Sequence, residues 1–344
     1  MKINRNELIE KLEFVLPAVG RGSFVLDHQN FHFDGDILFS TDGQTSIFTQ
    51  NPIPEESFSI KADSFLNLLR NTSSDEVTLE MKDSNLIVRT TKIQGKFRIE
   101  KSREAEIPEA KEAKDLRLCP TLIEGLRLCR FGICKEKTSG SIGGVRVEGA
   151  KVYSTDRFRI HKYNLGISSG VDPFTVPSKF IDIMCKNRDK IQKYGLSGNL
   201  FYVLLEDGSI IQSSIYLDDF PKLEEYFNQL NLEEFSDVVF TSDLGEVLER
   251  HLKSFLGGVD FFDKETRFEI SKSSCTLYSE SKGSGNLVET IELESDIGEH
   301  KFVVNPSLVQ EVLQYGKGKF LYHPTEKIIL LDSENLQVLI QTKV

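Results

Sequence analysis

Side chains able to cleave a phosphoester are concentrated in KVYSTDRFRIHKY, residues 151–163. Asp and His can act as general acid and base, and Arg can bind the transferred phosphate. Five of the seven residues from 156 to 162 are ionisable: Asp156, Arg157, Arg159, His161 and Lys162. One hypothesis is therefore a phosphoester-cleaving enzyme that uses Asp156, Arg159 and His161.

The Ser-Thr-Asp of this stretch occurs twice in the chain. LFSTDGQTSIF, residues 38–48, places Asp42 114 residues upstream of Asp156. The first copy continues Gly-Gln-Thr-Ser, whereas the second continues Arg-Phe-Arg-Ile, residues 157–160. We therefore predict that the shared aspartate shapes a strand end, and that residues 157–160 carry the function.

Other catalytic signatures are incomplete. GICKEKTS, residues 132–139, has Glu136 where a P-loop requires glycine, and SGSIGG, residues 139–144, lacks the spacing of a GxSxG elbow. His28 and His32 lie in a segment predicted as a strand, where residues four apart do not converge on a metal. We expect no catalytic residues, no metal and no cofactor.

The composition is typical of a soluble globular protein with more than one domain. The chain has 344 residues, 39% of them apolar, and no apolar run long enough for a membrane span. Five cysteines without a CxxC pair favour reduced thiols. We expect a cytoplasmic protein without a membrane partner.

The net charge of −11 is unevenly distributed. Residues 116–137 and residues 179–193 each contain five basic and two acidic side chains, so the remainder is strongly acidic. Two solvated helix faces would explain this pattern, and so would a local surface for phosphates. Charge alone leaves both readings open.

Two segments each occur three times, in the same order along the chain. LIEKL (8–12) returns as LIEGL (122–126) and as LGEVL (244–248). FSIKADSFLNLL (58–69) returns as FTVPSKFIDIMC (174–185) and FVVNPSLVQEVL (302–313). Such periodicity predicts a tandem repeat, with domains at 1–112, 113–230 and 231–344.

Each repeat is predicted to be an α+β domain in which two helices pack on an antiparallel sheet. Its first helix has one apolar stripe, which in the second repeat is Leu122, Leu126, Cys129 and Ile133. Pro120 suits the first turn of that helix, and Thr241 or Ser242 could cap the third repeat's first helix. Turns at residues 82–85 and 206–208 predict hairpins.

The collinear repeats resemble the β sliding clamp of bacterial DNA polymerase III over the whole length. VYSTDRFRIHKY, FTVPSKFIDIM, DDFPKLEEY and FVVNPSLVQEVL carry the resemblance. It implies that two chains join head to tail in a homodimeric ring around duplex DNA. The ring would bind DNA without sequence specificity, be loaded by a clamp loader and tether a DNA polymerase.

The resemblance also implies two sets of residues. DNA-facing basic residues would be Arg21, Arg127, Arg130, Lys179, Lys186, Lys190, Arg250 and Lys253. A partner-peptide groove would include Ile142, Thr155, Arg157, Phe158, Arg159, Ile160, Pro221, Val338, Leu339, Ile340 and Val344.

Departures from the family pattern indicate a divergent or phage-encoded member. Arg157-Phe158-Arg159 replaces Gly-His-Arg, and Glu224 and Glu225 stand where the family tends to be basic. A scaffold protein without a DNA role is a further alternative, and it predicts no association with DNA.

Overall fold

The computed structural model describes residues 1–54, 56–107, 114–115, 120–136, 139–170, 172–254, 264–281, 285–314 and 318–343. Up to residue 115 the elements are β1 (Lys2–Asn4), α1 (Arg5–Val15), β2 (Asn30–Asp34), β3 (Ile37–Thr41), β4 (Thr45–Gln50), β5 (Phe58–Lys61), α2 (Ala62–Arg70), β6 (Glu76–Lys82), β7 (Asn85–Arg89), β8 (Gln94–Glu100) and β9 (Lys114–Asp115).

The middle of the chain repeats this order of a helix, several strands, a second helix and further strands. Its elements are α3 (Pro120–Cys129), β10 (Gly144–Glu148), β11 (Lys151–Thr155), β12 (Arg159–Asn164), β13 (Phe174–Pro177), α4 (Ser178–Lys186), β14 (Ile191–Ser197), β15 (Leu200–Leu205) and β16 (Ile210–Ser214).

The last third has the same order after one additional short helix and strand. Its elements are α5 (Leu223–Gln229), β17 (Ser236–Asp237), α6 (Leu244–Ser254), β18 (Thr266–Ser271), β19 (Ser274–Ser281), β20 (Gly285–Glu292), β21 (His300–Val304), α7 (Pro306–Leu313), β22 (Lys319–His323), β23 (Ile328–Asp332) and β24 (Leu336–Gln341).

The strands form two compact units. Residues 1–118 and 179–215 form one unit, with the antiparallel sheet β1-β6-β7-β8-β5-β2-β3-β4-β16-β15-β14-β9. Residues 119–178 and 216–344 form the other, with the sheets β13-β10-β11-β12-β24-β23-β22-β17 and β20-β19-β18-β21. Strand pairing crosses the predicted domain boundaries, since β4 pairs with β16 and β12 with β24. The division at residues 112 and 230 stays a prediction.

The first helices bury the predicted stripes. Leu8, Leu12 and Val15 of α1 are fully buried, as are Leu126 and Cys129 of α3. Burying apolar side chains at these spacings removes them from water and fixes which face of each helix packs on its sheet.

The helix starts agree only in part with the sequence prediction. Pro120 begins α3, as predicted. The predicted cap of α6 is wrong, because Asp243 takes that role: its Oδ1 accepts the N–H of Gly245 at 2.8 Å and of Glu246 at 3.3 Å. A cap must directly precede the first helical residue, here Leu244, so Thr241 and Ser242 lie too far upstream.

Both predicted hairpin turns are confirmed. Residues 83 and 84 join β6 to β7, with Asp83 at a φ of 54°, a left-handed conformation that aspartate tolerates. In the other turn Gly208 has a φ of 81°, and Asp207 Oδ1 accepts the N–H of Ser209 at 3.0 Å.

The segment containing His28 and His32 is only partly a strand. His28 lies in the 3₁₀ turn Leu26–Gln29, whereas His32 lies on β2 with its ring buried and bonded to Ser59 Oγ at 2.8 Å. Of the helices in the described residues, none is long and apolar enough to cross a membrane.

Candidate functional site

The turn between β11 and β12 is formed by hydrogen bonds from two side chains. Thr155 Oγ1 accepts the N–H of Arg157 at 3.1 Å, and Asp156 Oδ1 accepts the N–H groups of Phe158 and Arg159, each at 3.1 Å. The turn holds Arg157 at a φ of 76°, a region that favours glycine. Because such strain persists at functional positions, Arg157 and the 45% exposed Phe158 mark this turn as a candidate site.

The Arg159 side chain extends beneath the turn and is almost fully buried. Its Nε donates to Asp156 Oδ2 at 3.0 Å, its Nη1 to Glu311 Oε2 at 2.8 Å, and its Nη2 to the carbonyl of Phe131. Burial raises the pKa of the Asp156 carboxyl, and the Arg159 guanidinium opposes that rise. The pair therefore ties the turn to α7 and to the end of α3.

His161 points into the interior next to Gly132 and Ser154. Burial lowers the pKa of His161 well below its ordinary value, and the Arg159 guanidinium lowers it further. Asp156, Arg159 and His161 are all buried, and the first two satisfy the turn and each other. This arrangement does not favour the phosphoester-cleaving hypothesis, since a substrate must reach its general acid and base.

A groove of about 800 Å³ opens beside this turn. Eight of the predicted groove residues line it, and they come from β11, β12, β24 and the segments before β10 and α5: Ile142, Thr155, Arg157, Phe158, Arg159, Ile160, Pro221 and Leu339. A smaller cavity between Phe158, Leu308 and Lys343 adjoins it, with Phe158 and Gln341 lining both. The sequence prediction thus gathers residues that the fold brings together.

The rest of the groove wall was not anticipated. It comes mainly from α5 and from the ends of β22 and β23: Leu223, Tyr226, Gln229, Leu230, Asn231, Glu234, His323, Glu326 and Ile328. The spacing of Leu223, Tyr226 and Gln229 is the sequence signal that indicates one helix face here.

Helix α5 is anchored to the strands that carry the turn. Glu224 accepts hydrogen bonds from Lys151 and from the Tyr153 hydroxyl of β11. Lys162 of β12 lies 3.9 Å from the ring centroid of Phe227. These contacts fix the new groove wall against β11 and β12.

Three predicted groove residues are placed differently. Val338 and Ile340 are fully buried, because alternate residues of β24 face opposite sides and Leu339 takes the groove side. Val344 lies outside the described residues. Ile340 also pairs with Arg159 between β24 and β12, so its role is in the sheet.

Three of the predicted DNA-facing residues meet in a second depression, of about 700 Å³. Arg21, Lys179 and Lys186 line it, and we call it the basic concavity. Arg21 pairs with the exposed Asp63 at 3.0 Å, and Lys179 pairs with Asp42. Lys186 is exposed and makes no ion pair within the described part of the chain. These cations are accessible for phosphate.

Two predicted DNA-facing residues are not on helices. Helix α4 ends at Lys186, and Lys190 lies in the 3₁₀ turn Arg188–Lys190 because Asn187 bonds back to Ile183 and Met184. Arg130 likewise follows α3, at the start of a 3₁₀ turn, with its guanidinium 5.0 Å from the Phe131 ring centroid. The spacing of Lys179, Lys186 and Lys190, seven and four residues apart, predicts one basic helix face, and this prediction is wrong at Lys190.

The remaining predicted DNA-facing residues have acidic neighbours. Arg127 makes two hydrogen bonds to Glu124 at 2.6 and 2.8 Å, and Arg250 makes two to Glu289 at 2.5 and 3.2 Å. Lys253 pairs with Glu249 at 2.8 Å. These acids reduce the positive potential that each cation presents to solvent.

Comparisons with known proteins give structural relatives only. No protein-family model matches the sequence, and no curated protein matches it. Among solved structures, the DNA polymerase sliding clamp from Bacillus subtilis is 17% identical with a TM-score of 0.82, over 100% of this chain and 98% of that one. The Helicobacter pylori beta clamp bound to DNA ligase peptide is 14% identical with a TM-score of 0.79, over 100% and 99%.

A third structure agrees with these two. A DNA polymerase III beta subunit homologue from Eubacterium rectale is 16% identical with a TM-score of 0.82, and covers 99% of this chain and 98% of that one. At such identities the likeness shows the fold. The chain therefore has the fold of the bacterial DNA polymerase III beta sliding clamp, and the predicted fold class is confirmed.

Proposed function

We propose that the chain is a DNA sliding clamp that encircles duplex DNA, slides along it without sequence specificity and tethers the replicative polymerase. The observation that carries this proposal is the full-length match of fold to sliding clamps. Tethering raises the effective concentration of a partner at its substrate without requiring any chemistry from the tether. The clamp is thus not an enzyme and needs no cofactor.

The ring consists of two copies of the chain joined head to tail, each contributing three repeats. A recurring internal contact supports the three repeats. Ser40 donates to the carbonyl of Val15 on α1, and Ser154 donates to that of Cys129 on α3. In the third repeat Ser279 bonds to His251 Nδ1 of α6 at 2.8 Å. In each repeat the serine thus bonds to the residue seven positions after the first leucine of its helix.

Duplex DNA is bound through phosphates. Arg21, Lys179 and Lys186 of the basic concavity are the strongest candidates. The ion pairs of Arg21 and Lys179 are exposed and can be exchanged for phosphate, and the Lys186 side chain is itself exposed. Arg130 and Lys190 come next. Arg127, Arg250 and Lys253 contribute least, since each lies against a glutamate.

Partner proteins bind in the groove beside Phe158. A groove lined by both apolar and polar side chains suits a short peptide segment, and a related beta clamp is known bound to a DNA ligase peptide. The replicative polymerase and the clamp loader are the partners proposed for this groove. The protein works in the cytoplasm, where bacterial and phage DNA is replicated.

Retention on DNA of different topology tests the proposal. The protein, loaded by the loader of its own replication system onto nicked circular DNA, should co-elute with that DNA and be lost after the circle is linearised. Equal retention on both forms would exclude a sliding ring, and no retention on either would favour the scaffold alternative. Light scattering should give the mass of two chains.

A further inference from the structure

The loop after α1 exposes three consecutive apolar side chains. Phe24 is 103% exposed, Val25 51% and Leu26 75%, so Phe24 makes almost no contact with the rest of the chain. Isolated exposed apolar residues are common on protein surfaces, but an apolar run led by a bare phenylalanine is a candidate interaction site. Nothing in the proposed sliding function requires it.

The base of this loop is ordered by hydrogen bonds around Ser23. The Ser23 N–H donates to the carbonyl of Gly20 at 3.0 Å, and its carbonyl accepts from Gln29 Nε2 at 2.8 Å. Its hydroxyl accepts the N–H of Val25 at 3.1 Å and lies 3.3 Å from His28 Nδ1. Phe24 is therefore presented by a structured turn, which reduces the entropy lost when a ligand packs on its ring.

The same turn forms one side of the basic concavity. Gly20, Arg21, Gly22 and Ser23 line it together with Lys179 and Lys186. The exposed Phe24 is thus the next residue in the chain after a surface whose cations are accessible. An aromatic ring next to a cationic depression is the combination that binds single-stranded nucleic acid, because phosphates pair with the cations while an unpaired base stacks on the ring.

We propose that Phe24 and the basic concavity form a binding site for single-stranded DNA. Phe24 stacks on one unpaired base, and Arg21, Lys179 and Lys186 bind the flanking phosphates. This inference rests on the proposed function, since a clamp on a primed template lies next to a single strand. It goes beyond that function by giving the clamp a preference for single-strand junctions over continuous duplex.

Fluorescence anisotropy of the full chain with labelled oligodeoxythymidine and with a blunt duplex tests the site. Phe24→Ala should weaken binding to the single strand about tenfold, because the variant loses the stacking contact between the ring and one base. Duplex affinity should stay unchanged. Phe24→Trp should restore single-strand binding, whereas Phe24→Leu, which keeps an apolar side chain, should not. Lys186→Ala should weaken binding to both probes.

Leu217→Ala is the matched control, because Leu217 is 77% exposed and lies in the other compact unit. It should bind both probes like the wild type. Photo-crosslinking to a single strand that contains 5-bromouracil should map to Phe24 by mass spectrometry.

Three results would overturn the site: unchanged single-strand affinity in Phe24→Ala, equal loss on both probes, or full affinity in Phe24→Leu. The first would assign the apolar run to a protein contact, and the second to insertion into duplex. Retention on nicked circles is independent of all three, so failure of this site and failure of the sliding ring give different patterns.

Discussion

The turns at residues 41–46 and 155–160 have the same hydrogen bonds from backbone N–H groups to side chains, but their surroundings differ. In the first, Thr41 Oγ1 accepts the N–H of Gly43 at 3.1 Å, and Asp42 Oδ1 accepts those of Gln44 and Thr45 at 2.9 and 2.7 Å. The second makes the equivalent bonds 114 positions later. The shared Thr-Asp is therefore a structural device for joining two strands.

The difference lies in what the second carboxylate oxygen binds. Asp42 Oδ2 pairs with Lys179, whose side chain is 41% exposed, at the edge of the basic concavity. Asp156 Oδ2 pairs with Arg159, whose side chain is 1% exposed, beneath the groove. One turn thus orients a cation toward solvent and the other locks a cation in the core, so position in the fold decides what a repeated motif does.

Replacing each aspartate in turn should lower the free energy of unfolding more at the buried ion pair than at the exposed one. Asp156→Ala should lower the free energy of unfolding by about 3–5 kcal/mol, because it removes one of the three groups that accept hydrogen bonds from the buried Arg159 guanidinium. Asp42→Ala should cost about 1–2 kcal/mol through lost turn hydrogen bonds. Urea denaturation followed by circular dichroism measures both, and equal losses would contradict the assigned difference in burial.

Truncating Phe158, which follows the strained Arg157, should weaken partner binding, whereas truncating the equivalent residue of the first turn should not. Phe158→Ala should weaken polymerase binding about tenfold, as expected for an aromatic anchor in a pocket. Gln44→Ala, the same position in the first turn, should bind like wild type. Surface plasmon resonance with the polymerase of the same replication system gives both affinities. Loss in both variants, or in neither, would reject the groove.

The second copy has a buried histidine, His161, where the first has Ile47. Burial lowers the pKa of His161, so below pH 6.5 the unfolded chain binds more protons than the folded chain. The free energy of unfolding should therefore decrease as the pH is lowered. One such group contributes a slope of about 1.4 kcal/mol per pH unit. His32 and His251 also have lowered pKa values, so His161→Leu should reduce the slope without removing it. An unchanged slope in urea titrations from pH 7 to 5 would mean that His161 is protonated in the fold.

The smallest effect should come from exchanging the strained residue. Arg157→Gly should stabilise the chain by about 1 kcal/mol, because glycine adopts a positive φ without a Cβ clash. Gly43→Ala should destabilise it, since a Cβ there would lie 2.7 Å from His28 Cε1. Thermal unfolding of both variants provides the comparison. A destabilised Arg157→Gly would show that contacts of the Arg157 side chain outweigh the strain.

Local features were predictable because their determinants lie within a few residues. The stripes of α1 and α3, the turns at Asp83 and Gly208, and the repeated Thr-Asp depend on helical spacing, left-handed turn residues and short-range hydrogen bonds. Two local predictions are wrong. The helix face predicted for Lys190 requires α4 to continue beyond Asn187, and the cap predicted for α6 lies before Asp243.

The sequence by itself determined the α+β class, the repeated units and most of one side of the groove. Only the tertiary structure decided that Asp156, Arg159 and His161 are interior, because Arg159 meets Glu311 across 152 residues through the pairing of β12 with β24. Only the tertiary structure likewise decided that Lys179 pairs with Asp42, which is 137 residues away in the sequence. Periodicity encodes which face of an element is buried, whereas the partner of a charged side chain depends on which distant strand is paired beside it.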